Sequence, residues 1–193
     1  MTRTLILFVR IPRLGAGKRR LARDIGAVAA VRFERLMLAR SLRRLGHDRR
    51  WTLRLAVTPD RDARRLGAHP QGQDDLGVRM WRALAACPPG PKLLVGSDIP
   101  GLTAAYIAEA FALLGRHDVV FGPASDGGFW LVGCRHRPPE FGTGFGMVRW
   151  SSPHALADVL ANLPKLPSVG FAATLEDVDD GEAYRRVMRR RGK

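Results

Sequence analysis

The stretch that decides the fold is KLLVGSDIPGL, residues 92–102. Its opening aliphatic run is typical of a strand that is covered on both faces of a sheet. Asp98 follows that strand, and Pro100 restricts Ile99 to an extended conformation, so the chain turns away sharply. A carboxylate at this position suits either an Asx-turn that orders the corner or a ligand for Mg²⁺ or Mn²⁺, which prefer oxygen donors.

Similar apolar runs occur on both sides of this stretch, and amphipathic segments with helical spacing separate them. The other predicted strands are 4–10, 51–57, 118–122 and 128–133. The predicted helices are 24–45, 75–87, 103–114, 152–163 and 181–191. This alternation predicts an α/β protein, a three-layer α/β/α sandwich with a mostly parallel central sheet. Neither a repeat nor a long linker interrupts it, so we expect one domain over residues 1–193.

The composition is that of a globular protein with an excess of arginine. The chain is 46% hydrophobic and 26% charged, with a net charge of +14, and only four of its 32 basic residues are lysines. The arginines are spread over several segments, without a zinc-finger spacing or an aromatic RNA-binding motif. Specific nucleic-acid binding is therefore not expected, although a nonenzymatic polyanion-binding protein stays an alternative.

Two further features bear on location and redox chemistry. The apolar run at residues 5–9 is too short for a membrane span or a secretory core, which predicts a cytoplasmic protein. Cys87 and Cys134 form no CxxC pair, so we expect two buried or half-buried thiols rather than a disulfide framework or a zinc site.

A basic loop follows the first predicted strand, in VRIPRLGAGKRRLAR, residues 9–23. It carries six basic side chains and no acid, and Gly15 and Gly17 allow backbone amides to turn toward an anion. A phosphate-bearing ligand is one interpretation, and a solvated basic loop is the other. A P-loop is excluded because Pro12 and Arg19 stand where that motif requires a glycine and a hydroxyl.

Two glycines follow an acid after the strand predicted at residues 118–122, in GPASDGGFWLVG, residues 122–133. Asp126, Gly127 and Gly128 suit a tight turn between strands, and the same glycines would let a substrate approach the backbone closely. The irregular stretch from Arg135 to Arg149 follows, and it is predicted to be an active-site lid or a disordered loop.

The last acidic cluster lies in LEDVDDGEAY, residues 175–184. Four carboxylates fall within five residues: Glu176, Asp177, Asp179 and Asp180. One of them is expected to cap the final helix. Mutual repulsion among the others would be relieved by a cation.

Taken in order, these segments resemble the motifs of a bacterial family, glycosyltransferase A or selenodomain/arsenosugar-associated transferase, within the nucleotide-diphospho-sugar transferase superfamily. The matching segments are FVRIPRLGAGKRRL (8–21), QGQDDLGVRM (71–80), GSDIPGL (96–102), DVVFGPASDGGF (118–129), WSS (150–152) and DVDDGEA (177–183). The resemblance covers nearly the whole chain, and it implies a GT-A-like fold.

The resemblance also implies roles for individual residues. The nucleotide and its phosphates would contact Arg10, Gly15, Lys18, Arg20, Asp75 and Gly77. Asp98 would be the main ligand of Mg²⁺ or Mn²⁺ and act in catalysis, with Asp179 completing the metal site. The acceptor side would consist of Gly127, Gly128, Trp150 and Ser151. Asp126 would orient or deprotonate the nucleophile.

Two transfer reactions are compatible with this set of residues. Glycosyltransferases of this fold commonly present Asp-x-Asp, whereas Asp98 stands alone here and the first loop is basic, as in nucleotidyltransferases. The family naming nevertheless favours glycosyl transfer from a nucleotide-sugar to a small acceptor. Nucleotidyl transfer from a nucleoside triphosphate to a phosphorylated small molecule, with release of pyrophosphate, is the alternative. A homodimer stays open.

Overall fold

The computed structural model describes residues 2–136, 145–163 and 167–189. The strands are β1 (Thr4–Arg10), β2 (Thr52–Thr58), β3 (His69–Pro70), β4 (Lys92–Gly96), β5 (Val119–Pro123), β6 (Phe129–Cys134) and β7 (Val169–Phe171). The helices are α1 (Arg19–Ile25), α2 (Ala27–Gly46), α3 (Asp60–Arg65), α4 (Leu76–Ala85), α5 (Ala104–Leu113), α6 (Ala155–Asn162) and α7 (Gly181–Arg189).

The strands form one sheet in the order β3-β2-β1-β4-β6-β5-β7. Strand β1 lies between β2 and β4 and is parallel to both, with Thr4 opposite Thr52 and Lys92. Only β6 runs antiparallel, against β4 and β5. The five residues between β5 and β6 are too few for a parallel crossover, which explains the reversal. The predicted mostly parallel α/β sheet is confirmed.

Alternating side chains of β1 fill the two faces of the sheet. Leu5, Leu7 and Val9 pack in one cluster with Ile107 and Phe111 of α5. Ile6 packs on the other face, in a second cluster with residues of α4 and α6 that include Met80, Leu84 and Val159. Burial on both faces explains why this strand has no polar side chains between its ends.

A third cluster joins α1, α2 and α7 beside the sheet. Leu21, Phe33 and Val187 are buried in it. The backbone N–H of Gly181 donates to Asp24 Oδ2 at 2.8 Å, which ties the start of α7 to α1. This contact positions the acidic segment that precedes α7 next to the basic first loop.

The predicted helix over residues 24–45 begins differently in the structure. It corresponds to α2, which begins at Ala27, after Gly26 with φ = +87°. Helix α1 precedes that glycine, and most of it lies in the stretch that was predicted to be a basic loop. Sequence periodicity also missed α3, β3 and β7, which are short. Residues 137–144 of the predicted lid lie outside the described residues.

The two thiols lie as the sequence predicts. Cys87 is half-buried, Cys134 is buried, and neither is in a disulfide. Burial raises the pKa of the Cys134 thiol to about 12, so it stays protonated and unreactive at neutral pH. Among the described residues, no helix combines the length and the apolar character that crossing a membrane requires.

Candidate active site

A cleft of about 1030 Å³ opens at the carboxyl ends of β1, β2 and β4. This is the edge at which open α/β sheets bind ligands. Ten of the residues predicted from the sequence line it: Arg10, Gly15, Lys18, Arg20, Asp98, Asp126, Gly128, Trp150, Ser151 and Asp179. The structure therefore brings the basic first loop and the predicted acids to one cavity.

Lys18 lies between two of the predicted acids. Its Nζ is 2.6 Å from Asp98 Oδ2 and 2.5 Å from Asp179 Oδ1, and its side chain is 11% exposed. Arg20 Nη2 reaches the other oxygen of Asp179 at 3.0 Å. Burial by itself would lower the pKa of Lys18, but Asp98 and Asp179 outweigh it and raise the pKa. The ammonium is thus permanently charged and joins Asp98 to Asp179.

A group of three carboxylates lies next to this ion pair. Asp126, Asp177 and Asp179 each offer an oxygen, and these oxygens lie within 4.8 Å of one another. Burial, followed by the charges of Asp179 and Asp126, raises the pKa of Asp177 to about 6. Three oxygen donors at this spacing fit Mg²⁺ or Mn²⁺. Asp179 was predicted as a metal ligand, and Asp126 and Asp177 join it in this group. Asp98, the predicted main ligand, is not one of the three and is linked to Asp179 through Lys18.

The remaining acids of the cluster before α7 serve the helix. Asp180 Oδ1 accepts hydrogen bonds from two backbone N–H groups of the first turn, at 3.0 and 2.9 Å, which confirms the predicted cap. Glu176 pairs with Arg186. Only Asp177 and Asp179 line the cleft. The sequence could not separate these uses because four neighbouring acids look alike.

Two acids that no sequence motif marks, the half-buried Glu34 and the buried Asp62, hold the first loop. Lys18 N donates to Glu34 Oε1 at 3.3 Å, and a Cβ at Gly17 would lie 2.7 Å from the same oxygen. Arg13 Nη2 donates to Asp62 Oδ1 at 2.7 Å. Burial raises the pKa of Glu34, against the opposing influence of the Lys18 backbone and charge. These contacts fix the loop from α2 and α3.

Asp75 and Gly77, two predicted nucleotide contacts, are used differently in the structure. Asp75 Oδ1 caps α4 by accepting from the backbone N–H groups of Gly77 at 2.7 Å and Val78 at 3.1 Å. A Cβ at Gly77 would lie 2.7 Å from Trp150 Cζ2. Neither residue is part of the lining of the cleft, which Leu76, Arg79 and Met80 supply from α4 instead. The predicted nucleotide contact of Asp75 and Gly77 stays a prediction.

The glycines between β5 and β6 form the predicted tight turn, and this turn also lies at the cleft. Gly128 N donates to Asp126 Oδ1 at 2.9 Å, an Asx-turn that sets the carboxylate at the cleft. Gly127 has φ = +88°, and a Cβ there would lie 2.2 Å from the carbonyl oxygen of Pro153. Gly127 is thus required by packing and is not among the residues that line the cleft.

Replacement of Gly127 by alanine is expected to destabilise the protein. The new methyl group would collide with the Pro153 backbone at an unfavourable φ, which costs about 2–4 kcal/mol of unfolding free energy. The matched control is Gly101→Ala, because nothing lies within 4 Å of a Cβ at Gly101. Urea unfolding measures both variants, and equal stability of the two would contradict the packing requirement.

Replacement of Asp177 by asparagine is expected to stabilise the metal-free protein. The pKa of Asp177 rises from an ordinary value of 3.8 to about 6 in the fold, so its ionisation costs stability increasingly between those pH values and fully above pH 6. The variant should therefore gain about 1–2 kcal/mol at pH 7, after allowance for solvent screening, and nothing at pH 3.

Urea unfolding in EDTA at both pH values tests the Asp177 prediction. Glu176→Gln is the control, since Glu176 pairs with Arg186 and its replacement should not stabilise the protein. A gain for Asp177→Asn that is the same at pH 3 and pH 7 would show that the ionisation of Asp177 is not the cause.

Comparison with solved structures defines the class of fold. A proposed nucleotide-diphospho-sugar transferase from Desulfovibrio desulfuricans G20 superposes with a TM-score of 0.75 at 23% identity, over 100% of this chain and 96% of that one. A 4-diphosphocytidyl-2C-methyl-D-erythritol synthase from Anaerococcus prevotii DSM 20548 gives 0.64 at 9%, over 100% and 96%. Rv0371c of Mycobacterium tuberculosis H37Rv, in complex with manganese, gives 0.54 at 17%, over 98% and 99%. The chain has the nucleotide-diphospho-sugar transferase fold.

Within that class, the sequence identifies the family. The chain belongs to DUF2064, described as an uncharacterized protein conserved in bacteria, whose profile matches residues 35–152. The matched range contains Asp98, Asp126 and Trp150. No curated protein sequence matches the chain.

Proposed function

We propose that this protein is a metal-dependent transferase that uses an activated nucleotide as its donor. The observation that carries the proposal is the meeting of a basic loop and an acidic group in one cleft, where Lys18 lies 2.6 Å from Asp98 and 2.5 Å from Asp179. Nucleotide phosphates need cationic side chains, and a divalent ion needs carboxylates beside them. The shared fold, which includes a manganese complex among its members, supports the same assignment.

In this proposal, Asp126, Asp177 and Asp179 hold Mg²⁺ or Mn²⁺, and Asp98 lies at the edge of that site. The bound ion would neutralise phosphate oxygens and stabilise the charge of the leaving group. Lys18 and Arg20 would contact phosphate oxygens next to the ion. Because Asp126 is held by the Gly128 N–H, it is oriented for either a ligand or a base.

We propose nucleotidyl transfer as the first of the two chemistries. An acceptor oxygen would bond to the α-phosphorus of a nucleoside triphosphate, the bond to the β-phosphate oxygen would break, and pyrophosphate would leave with the electron pair. Three arginines of the cleft support this choice, because Arg10, Arg19 and Arg79 line it without an ion pair in the described part of the chain. Their charge suits a triphosphate and a departing pyrophosphate. The Anaerococcus neighbour is named for a diphosphocytidyl product.

Glycosyl transfer is the second candidate, because the Desulfovibrio neighbour is described as a proposed nucleotide-diphospho-sugar transferase. An acceptor oxygen would then bond to the anomeric carbon of the sugar, and the nucleoside diphosphate would leave. The two reactions release different products, so an assay of the released product distinguishes them even when the acceptor is not fully known.

Thermal unfolding with Mn²⁺ or Mg²⁺ and a panel of nucleoside triphosphates and nucleotide-sugars tests the proposal. A ligand at about 100 times its dissociation constant adds about 2.7 kcal/mol, or roughly 5–10 °C in a chain of this size. We expect a shift that requires the metal. Pyrophosphate as the product indicates nucleotidyl transfer, and a nucleoside diphosphate indicates glycosyl transfer. A shift with oligonucleotides alone, which weakens steeply with salt, would contradict both and favour a polyanion-binding protein.

A further inference from the structure

Arg79 is a cation of the cleft that forms no ion pair within the described part of the chain. It lines the cleft from α4, and its guanidinium lies 5.6 Å from the centre of the Phe8 ring. Over residues 2–136, 145–163 and 167–189, no carboxylate oxygen lies within 4.0 Å of its side-chain nitrogens. Its Nε is buried and has no hydrogen-bond partner among these same residues. An unpaired, partly desolvated guanidinium is costly unless a ligand completes its hydrogen bonds.

Gln71 holds Arg79 in a defined orientation. The Gln71 side chain is buried, with 1% of the residue exposed, and its Nε2 donates to the carbonyls of Ala56 at 2.7 Å and Val9 at 3.1 Å. Both amide hydrogens are thus used by the backbone of β1 and β2, and Oε1 accepts from Arg79 Nη2. Nη2 uses one of its hydrogens for Gln71 and Nε is buried, so the hydrogens that remain for a ligand are those of Nη1 and the second one of Nη2.

Arg10, which forms no ion pair with any residue that the structure describes, adds a second positive charge to the cleft. Burial lowers the pKa of Arg79, and the charge of Arg10 is the next cause. Arg79 keeps its charge at neutral pH because the ordinary arginine pKa is very high. By contrast, the ammonium of Lys18 is already paired with two carboxylates. The unpaired arginines are therefore free for an anion, whereas Lys18 is not until its partners are occupied.

We propose that Arg79, oriented by Gln71 and assisted by Arg10, forms an anion subsite for a substrate phosphoryl group, separate from the subsite at Lys18. The planar fork matches two oxygens of one phosphoryl group. This inference rests on the proposed function, because the phosphoryl group belongs either to the nucleotide donor or to a phosphorylated acceptor. The two sources share the chemistry and are separated by the choice of probe.

Isothermal titration with three probes tests the subsite: CTP (with UTP, GTP and ATP as a panel) in the presence of Mn²⁺, inorganic pyrophosphate, and glucose 1-phosphate. The variants are Arg79→Ala, Arg79→Lys and Arg64→Ala, a control that removes one positive charge from the exposed face of α3 outside the cleft. We expect Arg79→Ala to weaken at least one probe about 10- to 100-fold. Arg79→Lys should recover only part of it, since an ammonium cannot replace the fork.

The outcomes are distinguishable from those of the proposed function. Loss of CTP and pyrophosphate binding assigns the subsite to the donor, and loss of glucose 1-phosphate binding alone assigns it to the acceptor. Equal affinities of Arg79→Ala and Arg64→Ala for every probe that binds would overturn the subsite and leave the proposed function standing. Wild-type protein that binds pyrophosphate through Arg79 but no nucleotide would overturn the proposed function alone. No binding of any probe would overturn both.

Arg79→Lys also guards against a folding defect. It keeps the charge and the aliphatic stem over Phe8, so its thermal unfolding without ligand should match that of the wild type. A contrary outcome is that Arg79→Ala loses binding while Arg79→Lys has wild-type stability and binds every probe with wild-type affinity. A positive charge at this position would then be sufficient, and the proposed role of the oriented guanidinium would be wrong.

Discussion

Asp98→Asn is expected to abolish the metal-dependent response to nucleotides and to lower product formation about 1000-fold. The substitution keeps the size of the side chain and removes its charge. Asp98 is one of the two carboxylates that hold the Lys18 ammonium, with 2.6 Å between Oδ2 and Nζ. In the Asp98→Asn variant, the Lys18 ammonium would pair with Asp179 alone. Its charge would then neutralise the Asp179 carboxylate, which the divalent ion needs as a ligand.

The control for Asp98→Asn is Asp48→Asn. Asp48 also pairs with a basic side chain, at 2.6 Å from Arg50, but lies outside the cleft. Thermal unfolding with Mn²⁺ and the nucleotide panel, followed by assay of pyrophosphate or nucleoside diphosphate, compares the two. If Asp98→Asn keeps a rate within about threefold of Asp48→Asn, the carboxylate at the end of β4 is not part of the chemistry.

The sheet could be predicted from the sequence because its central strands are covered on both faces. Strand β1 was predicted as residues 4–10 and is found at Thr4–Arg10. Side chains buried on both faces leave a continuous apolar run that has no other common explanation. Strands β3 and β7 have two and three residues. Such short runs carry too few side chains to show any periodicity.

The reversal of β6 and the formation of α1 depend on local geometry. A five-residue connection requires an antiparallel pair, as the tight turn predicted at Asp126, Gly127 and Gly128 implies, whereas hydrophobic periodicity carries no information on strand direction. Helix α1 has seven residues, four of them charged, and Leu21 is its buried side chain. So short and polar a segment shows no apolar periodicity, so the sequence favoured a loop before Gly26.

The positions of the site residues were partly predictable, and their pairing was not. The rule that ligands bind at the carboxyl ends of parallel strands places Arg10 and Asp98 at one edge. That the Lys18 ammonium would lie between Asp98 and Asp179, where an ion was expected, depends on side chains that are far apart in the sequence. The contact between Gln71 and Arg79 is equally hidden, because neither residue type is unusual at its position.

Lys18→Met is expected to have opposite effects on the two ligands of the cleft. Metal binding should become about tenfold tighter or more, because the ammonium no longer competes for Asp98 and Asp179. Binding of a nucleoside triphosphate should weaken about 10- to 100-fold, since a phosphate contact is lost. Without metal, the variant should unfold about 1–3 kcal/mol more easily, a loss moderated by the partial exposure of both carboxylates.

Titration with Mn²⁺ alone, titration with CTP at saturating Mn²⁺, and urea unfolding in EDTA measure these three effects separately. Arg32→Ala is the control, because Arg32 is exposed on α2 and lies outside the cleft. A general electrostatic effect would change Arg32→Ala and Lys18→Met alike. If Lys18→Met instead weakens Mn²⁺ binding, the ammonium supports the metal site rather than competing with it. The carboxylates would then need Lys18 as a permanent partner, and the divalent ion would have to bind through Asp126 and Asp177 beside an intact ion pair.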